Sequence, residues 1–226
     1  MKRFLSLFVL LIVTVFAFGC SKGNENEFTE AVSKGLENNY SYELSYSSDS
    51  GNGSVTGSGE YMINKDKSYY KYDLSSNYIF KIGEKYYSSI SLFGVQTEEI
   101  TKENYEKNIN DSIFKYLAYD DFECNKEGEY ILTKEASNSK KLIEVTLRNY
   151  YEAYGESFLD GVKDFEFSLI INNALITEIN VSCNCSLNFA GKETSYKLEY
   201  KYSFKDYGMT NFDIPQNVID SIEKGE

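Results

Sequence analysis

The spacing of apolar side chains divides this chain into strands and helices. Phe28, Val32 and Leu36 recur every four residues behind Thr29, which predicts a first helix closing at Asn38-Asn39. From there the period drops to two. Tyr40, Tyr42, Leu44 and Tyr46 alternate with Ser41, Glu43, Ser45 and Ser47, the pattern of a half-buried strand. Ser48 to Gly53 reads as a turn, and Val55 to Asn64 as a second strand thinned by Gly57 and Gly59. Tyr70, Tyr72 and Leu74 mark a third strand, and Tyr78, Phe80 and Ile82 a fourth. Gly83-Glu84-Lys85 turns into a fifth that runs to Phe93. This part predicts an antiparallel meander with one apolar and one wet face.

After residue 100 the period lengthens again. Thr101 is placed to cap a helix whose stripe is Tyr105, Ile109, Ile113, Tyr116 and Leu117. Tyr130 to Thr133 predicts a short strand. Ser137 to Ser139 opens a second amphipathic helix bearing Ile143, Leu147, Tyr150, Tyr154 and Phe158, with Gly161 at its C′ position. The last third alternates throughout. Phe165 to Ile171 is followed by a long strand with Leu175, Thr177, Ile179, Val181, Cys183, Cys185, Leu187 and Phe189 on one face. Gly191-Lys192 turns it into a strand with Tyr196, Leu198, Tyr200, Tyr202 and Phe204 aligned. Asp213-Ile214-Pro215 starts a short terminal helix with Val218, Ile219 and Ile222 apolar. The expected class is α+β: a strongly curved antiparallel sheet of roughly nine strands, an unclosed half-barrel, with helices over its concave face.

Several residue groups invite a chemical reading. Cys183 and Cys185 share a strand face too widely spaced to bridge each other. They fit a buried core, a disulfide from one of them to Cys124, or a metal pair; the apolar neighbours favour the core. Asp49 and Glu60 stand as far apart as the ends of a calcium loop, but Gly51, Gly53 and Ser54 occupy the intervening ligand and turn positions, so a hairpin is expected. Glu98-Glu99 and Asp120-Asp121 fall at helix edges, where carboxylates cap or face water. The strand tyrosines either pack across strands or line a cavity.

Composition removes most enzyme classes. The chain has no histidine and no tryptophan, but 21 tyrosines and 15 phenylalanines. Without histidine it lacks the commonest general base and metal ligand, and no Ser-His or Cys-His pair can form. No enzyme, cofactor or metal is expected. The scarcity of Pro, Trp and His beside abundant Lys, Asn, Ile and Tyr matches the coding bias of an AT-rich, low-GC Gram-positive genome.

The N-terminus changes the picture. Lys2-Arg3, an apolar run from Phe4 to Phe18 and Gly19 make a secretory leader, too short to span a bilayer comfortably. Ala17-Phe18-Gly19-Cys20 resembles the bacterial lipobox, with Phe18 where a smaller residue is usual. That resemblance implies cleavage after residue 19 and a diacylglyceryl anchor on Cys20, holding the protein to the extracytoplasmic face of the cell membrane. Residues 20–27 are expected as a polar tether and 28–226 as a single domain, a monomer. Removing Lys2 and Arg3 leaves 21 basic residues of the 23 against 35 acidic ones, a net charge of −14. Such a charge excludes nucleic acid as a partner, and it leaves attachment to the covalent anchor. Its simplest role is solubility, with a cationic partner as the alternative.

The ending Lys205-Asp206-Tyr207-Gly208 with Phe212-Asp213-Ile214-Pro215 looks like endings of small Gram-positive lipoproteins. The order of elements is similar to the LolA-like and LppX-like lipoprotein fold. That resemblance implies a space between sheet and helices for acyl chains or another apolar ligand. An apolar concave sheet must be covered by helices, by ligand, or by both. The expected cover residues are Ile109, Ile113, Tyr116, Leu117, Leu147, Tyr150 and Tyr154, and the expected walls Ile179, Val181, Tyr200 and Tyr202. Two functions stay open: a non-enzymatic carrier of an apolar ligand, or a scaffolding lipoprotein with a packed core.

Overall fold

The computed structural model describes residues 20–51, 53–72, 75–125, 129–189 and 192–223. The expected leader (1–19), Leu74 and Gly191 lie outside them.

One antiparallel sheet runs through the molecule. Its strands are β1 (Asn39–Asp49), β2 (Ser54–Asn64), β3 (Lys67–Tyr72), β4 (Ser75–Ile82), β5 (Lys85–Ser91), β6 (Val95–Ile100), β7 (Phe122–Cys124), β8 (Glu129–Leu132), β9 (Val162–Asn172), β10 (Leu175–Phe189) and β11 (Lys192–Lys205). Their spatial order is β6-β5-β4-β3-β2-β1-β11-β10-β9-β8-β7, curved and not closed into a barrel. The two meanders are therefore joined where β1 pairs with β11, Leu44 opposite Tyr202 and Tyr46 opposite Tyr200. Eleven strands stand where the periodicity gave nine. β6 has only one half-buried apolar position at each end and β7 is three residues long, so neither carries a readable alternation.

The helices are α1 (Cys20–Leu36), α2 (Lys102–Asn110), α3 (Ser139–Thr146), α4 (Arg148–Tyr154), α5 (Glu156–Gly161) and α6 (Gln216–Glu223), with a 3₁₀ turn over Ile113–Tyr116 and another over Tyr119–Asp121. Residues 20–27, expected as a tether, are the first turns of α1. Its buried stripe is Phe28, Ala31 and Gly35, while Leu36 is 45% exposed. A four-residue step overshoots the helical turn by about 40°, so a strict 28-32-36 spacing drifts out of the interface. Gly35 is required there, because a Cβ would occupy the ring of Phe114.

The two long amphipathic stretches are each broken. Thr101 does cap α2, its Oγ1 accepting from Asn104 N at 3.2 Å, but the helix stops at Asn110 and Ile113 to Tyr116 coil separately. The second stretch splits at Leu147 and Gly155, where φ is +58°. Gly161 ends α5 without a left-handed φ; it is there because a Cβ would meet the Ser186 carbonyl of β10.

Two bulges bend the β9–β10 pair. Thr177 is the extra residue between the pairs Ile176–Ile171 and Glu178–Ile170. It exchanges the faces expected for residues 175–177, so Ile176 is fully buried and Leu175 only partly. Farther along, Asp164 (φ +50°) and Phe165 together oppose Cys183. Beyond Ile179 the alternation holds. Val181, Cys183, Cys185 and Leu187 are buried in the main core with Phe167, Leu169, Leu198 and the helical residues Phe28, Leu142 and Phe158.

Cys124, Cys183 and Cys185 are free. Burial pushes the Cys183 thiol up to about 12 and that of Cys185 to about 11, so both remain protonated core material. β1 and β2 pair as the expected hairpin, Ser48 opposite Val55 and Asp49 opposite Ser54. Glu98-Glu99 lies in the exposed strand β6, not at a helix edge. The meander departs from the one-wet-face pattern at β4 and β5. Ile79 joins the main core while Phe80 and Tyr87 meet Val218 of α6 on the opposite face.

Candidate functional site

Tyrosine-bearing strands and the helical cover leave a cleft of about 500 Å³ between them. Its floor follows from register. Successive antiparallel pairings set Phe204, Tyr42, Tyr61, Tyr70, Asn77 and Ile90 in one cross-strand row from β11 to β5, all on the covered face. A second row runs Tyr202, Leu44, Gly59, Tyr72 and Ser75. Gly59 leaves a gap between Leu44 and Tyr72, and the Tyr70 ring leans over it. The rings pack on one another: Tyr42 on Tyr61 at 4.9 Å, and Tyr70 beside Tyr72 at 6.1 Å. Such stacking spends ring faces on neighbours, and the floor combines aromatic carbon with phenol oxygens.

The roof has two parts. One is the α2 exit, Asn108 and Asp111 to Ile113; the other is the α3–α4 junction, Val145 to Asn149 with Glu152. Hydrogen bonds fix both to the sheet. Tyr202 Oη donates to the Thr146 carbonyl at 2.6 Å, Tyr40 Oη and Ser112 Oγ share a bond at 3.3 Å, and Tyr105 Oη donates to the Asp66 carbonyl at 2.7 Å. The two roof parts meet in one ion pair, where Arg148 Nη2 donates to Asp111 Oδ2 at 2.5 Å. Asn77 Oδ1, on the floor, is buried and accepts no hydrogen bond among the described residues.

Burial shifts the tyrosines. The Tyr40 phenol is pushed up to about 12, its bond to Ser112 only partly opposing this, and Tyr61 and Tyr202 are raised well above the usual range by burial too. The folded state therefore binds protons that the unfolded chain releases near pH 10. Stability is fully present below that pH and falls as pH climbs through about 12. Thermal melts followed by circular dichroism should hold level to pH 9 and drop steeply above about pH 10.5; a flat profile would mean that these phenols reach water in the fold.

Of the residues expected from sequence, Ile113, Leu147, Tyr200 and Tyr202 line this cleft. Ile109, Leu117, Ile179 and Val181 are buried in the packed core instead. Tyr116 lines a shallower charged groove outside the roof and donates to Asp111 Oδ1 at 3.4 Å. Tyr150 donates to Ser48 Oγ at 3.3 Å and stacks on Phe158, and Tyr154 is half-buried against the core. The cleft also takes strand tyrosines, Tyr42, Tyr61, Tyr70 and Tyr72, which here both stack across strands and line the space, together with Asn77, Asp111 and Arg148, which the spacing does not mark. The signal for the tyrosines was present in the alternation of three neighbouring strands. No signal marked Arg148, although it is the chain's only arginine besides Arg3.

A wider hollow of about 900 Å³ lies over the middle strands. Residues from β1, β2 and β8–β11 form it, with no helical cover, so it is the weaker candidate. Among the described residues no group of three or more His, Cys, Asp or Glu is placed to hold a metal, and no helix is long and apolar enough to cross a membrane.

No protein-family model matches the sequence, and no curated protein does. Among solved structures the chain is similar to a DUF1329 family protein from Desulfovibrio piger, at 11% identity and a TM-score of 0.29, covering 85% of this chain and 95% of that one. Likeness at that level gives this chain no ligand and no activity.

Proposed function

We propose that this protein is a non-enzymatic binding lipoprotein, anchored by a diacylglyceryl group on Cys20 at the extracytoplasmic face of the cell membrane, with the cleft as its binding site for an apolar or amphipathic ligand. The observation that carries this reading is the cleft. Its volume lies within the roughly 300–1,000 Å³ that ligand sites occupy, and its lining sets eight aromatic and six aliphatic side chains beside eleven polar or charged ones, as an amphipathic ligand requires. The leader and lipobox pattern supply the location.

Native mass spectrometry of protein extracted from membranes in mild detergent tests both parts. The N-terminal peptide is expected to begin at a lipid-modified Cys20, and the folded protein to carry a co-purifying molecule. Ser75→Trp, which fills the cleft floor, should remove that molecule without changing the circular dichroism. An empty cleft, or an unmodified Cys20, would overturn the corresponding half. A second reading, a scaffolding lipoprotein, is favoured by the β5–β6 hairpin tip, where Phe93 is 98% exposed beside half-exposed Leu92. An empty cleft together with a surface crosslink through this tip would select it.

A further inference from the structure

We propose that the ligand of this cleft is an amphiphile whose head group is a protonated amine. This rests on the reading of the cleft as the binding site and adds the sign and donor character of what it takes. Beyond residue 19 the chain has 20 lysines, yet none lines the cleft. The charged residues that do are Asp111, Glu152 and Arg148. Arg148 is neutralised where it stands, since its Nη2 is bonded to both Oδ2 and the carbonyl of Asp111. Glu152 is exposed, has no ion pair among the described residues, and stands between the cleft and the outer groove that Lys107, Lys115 and Lys141 also line, so within the cleft lining itself it is the one unpaired charge.

The floor adds acceptors. Asn77 lines the floor, its Oδ1 has no hydrogen-bond donor among the described residues, and a buried acceptor left unpaired costs about 1–3 kcal/mol. An ammonium N–H supplies that donor; a carboxylate or a phosphate dianion cannot. Phenol oxygens from Tyr61, Tyr70 and Tyr72 stand in the neighbouring floor positions. Their stacked rings offer apolar surface to an alkyl chain. Finally, a net charge of −14 on the chain beyond the leader raises the local concentration of cations and repels anions.

The chain contains no tryptophan, so Ile90→Trp, on the half-exposed rim of the cleft, provides a fluorescence reporter. The mature chain with Cys20→Ser and Ile90→Trp is titrated with dodecylammonium, dodecanol and dodecanoate, each below its micellar concentration. Dodecylammonium should bind at least about tenfold more tightly than dodecanol, and dodecanoate more weakly than either. Asn77→Leu and Glu152→Gln should each narrow the gap between amine and alcohol. The proposal is overturned if dodecanoate equals or outranks the amine; binding of the alcohol in that case leaves the cleft reading standing. It is also overturned if both substitutions leave the preference unchanged while about 0.5 M salt abolishes it, since the preference would then belong to the outer surface. Failure of all three probes would remove the cleft reading as well.

Discussion

Phe28→Ala should cost about 3–5 kcal/mol, a large share of what holds a domain of this size together. Phe28 is 1% exposed and enters the core from α1. Its ring lies 5.1 Å from that of Tyr130, 5.4 Å from Phe122 and 5.6 Å from Tyr119, so one side chain joins the helix to β7, β8 and the turn before them. Truncation removes the transfer energy of the ring and leaves a hole walled by three other rings, which cannot close over it. Phe28→Leu keeps most of the volume and should cost about 1–2 kcal/mol. Urea denaturation checks this through the midpoint at constant slope. A loss under about 1 kcal/mol for the alanine variant would mean that α1 is not part of the cooperative unit. The site of Phe28 also matters for attachment. Only seven residues separate it from Cys20, and they are helical, so an anchor on Cys20 would hold the domain through a stiff first helix.

The sheet was legible because its information is local. A residue's face follows from its parity in the strand, and runs such as Tyr196 to Phe204 or Ile179 to Leu187 carry that parity without interruption. Thr177 defeats the rule because a bulge depends on the partner strand, which parity does not encode. Helix breaks were illegible for a related reason. Ile109, Ile113 and Leu117 keep a helical spacing, yet Asp111 and Ser112 are drawn out of the helix by partners on α4 and β1 that are distant in sequence. The cleft shows the same limit. Parity puts Tyr42, Tyr61 and Tyr70 on inner faces. Their convergence with Asn77 in one row needs the register of three hairpins, and the roof over them needs Arg148 to reach Asp111, 37 residues away. Among the eleven residues expected at the site, the aliphatic ones on the long strands pack tightest. Ile179 and Val181 fill the core, while the space lies over the more polar strands.

Asp121→Ala should cost about 2–3 kcal/mol, although an acidic pair at the edge of a helix suggests a solvated carboxylate. Asp121 is 8% exposed. Its Oδ1 accepts from Ser137 N at 2.9 Å, Oδ2 accepts from Asn138 Nδ2 at 3.2 Å, and Ser137 Oγ reaches both oxygens at 3.3 Å. The Asp121 carbonyl accepts from Thr133 N at 2.9 Å. One residue thus closes the loop between β8 and α3 and sets where α3 begins. Alanine keeps the carbonyl bond but strands the Ser137 and Asn138 donors in a half-buried loop, and hydrogen bonds to a charged acceptor are the strong ones. Asp121→Asn retains one acceptor oxygen and should lose about half as much. Asp120→Ala, at its exposed neighbour, should stay within about 0.5 kcal/mol. Because α3 leads into Thr146, Leu147 and Arg148, loosening its start frees the roof of the cleft. Asp121→Ala should therefore also weaken amphiphile binding in the Ile90→Trp reporter, under conditions where the variant is still fully folded. Equal losses for Asp120→Ala and Asp121→Ala would show that neither carboxylate organises the roof, and unaltered binding in folded Asp121→Ala would show that the roof holds its place from Tyr202 and Arg148 alone.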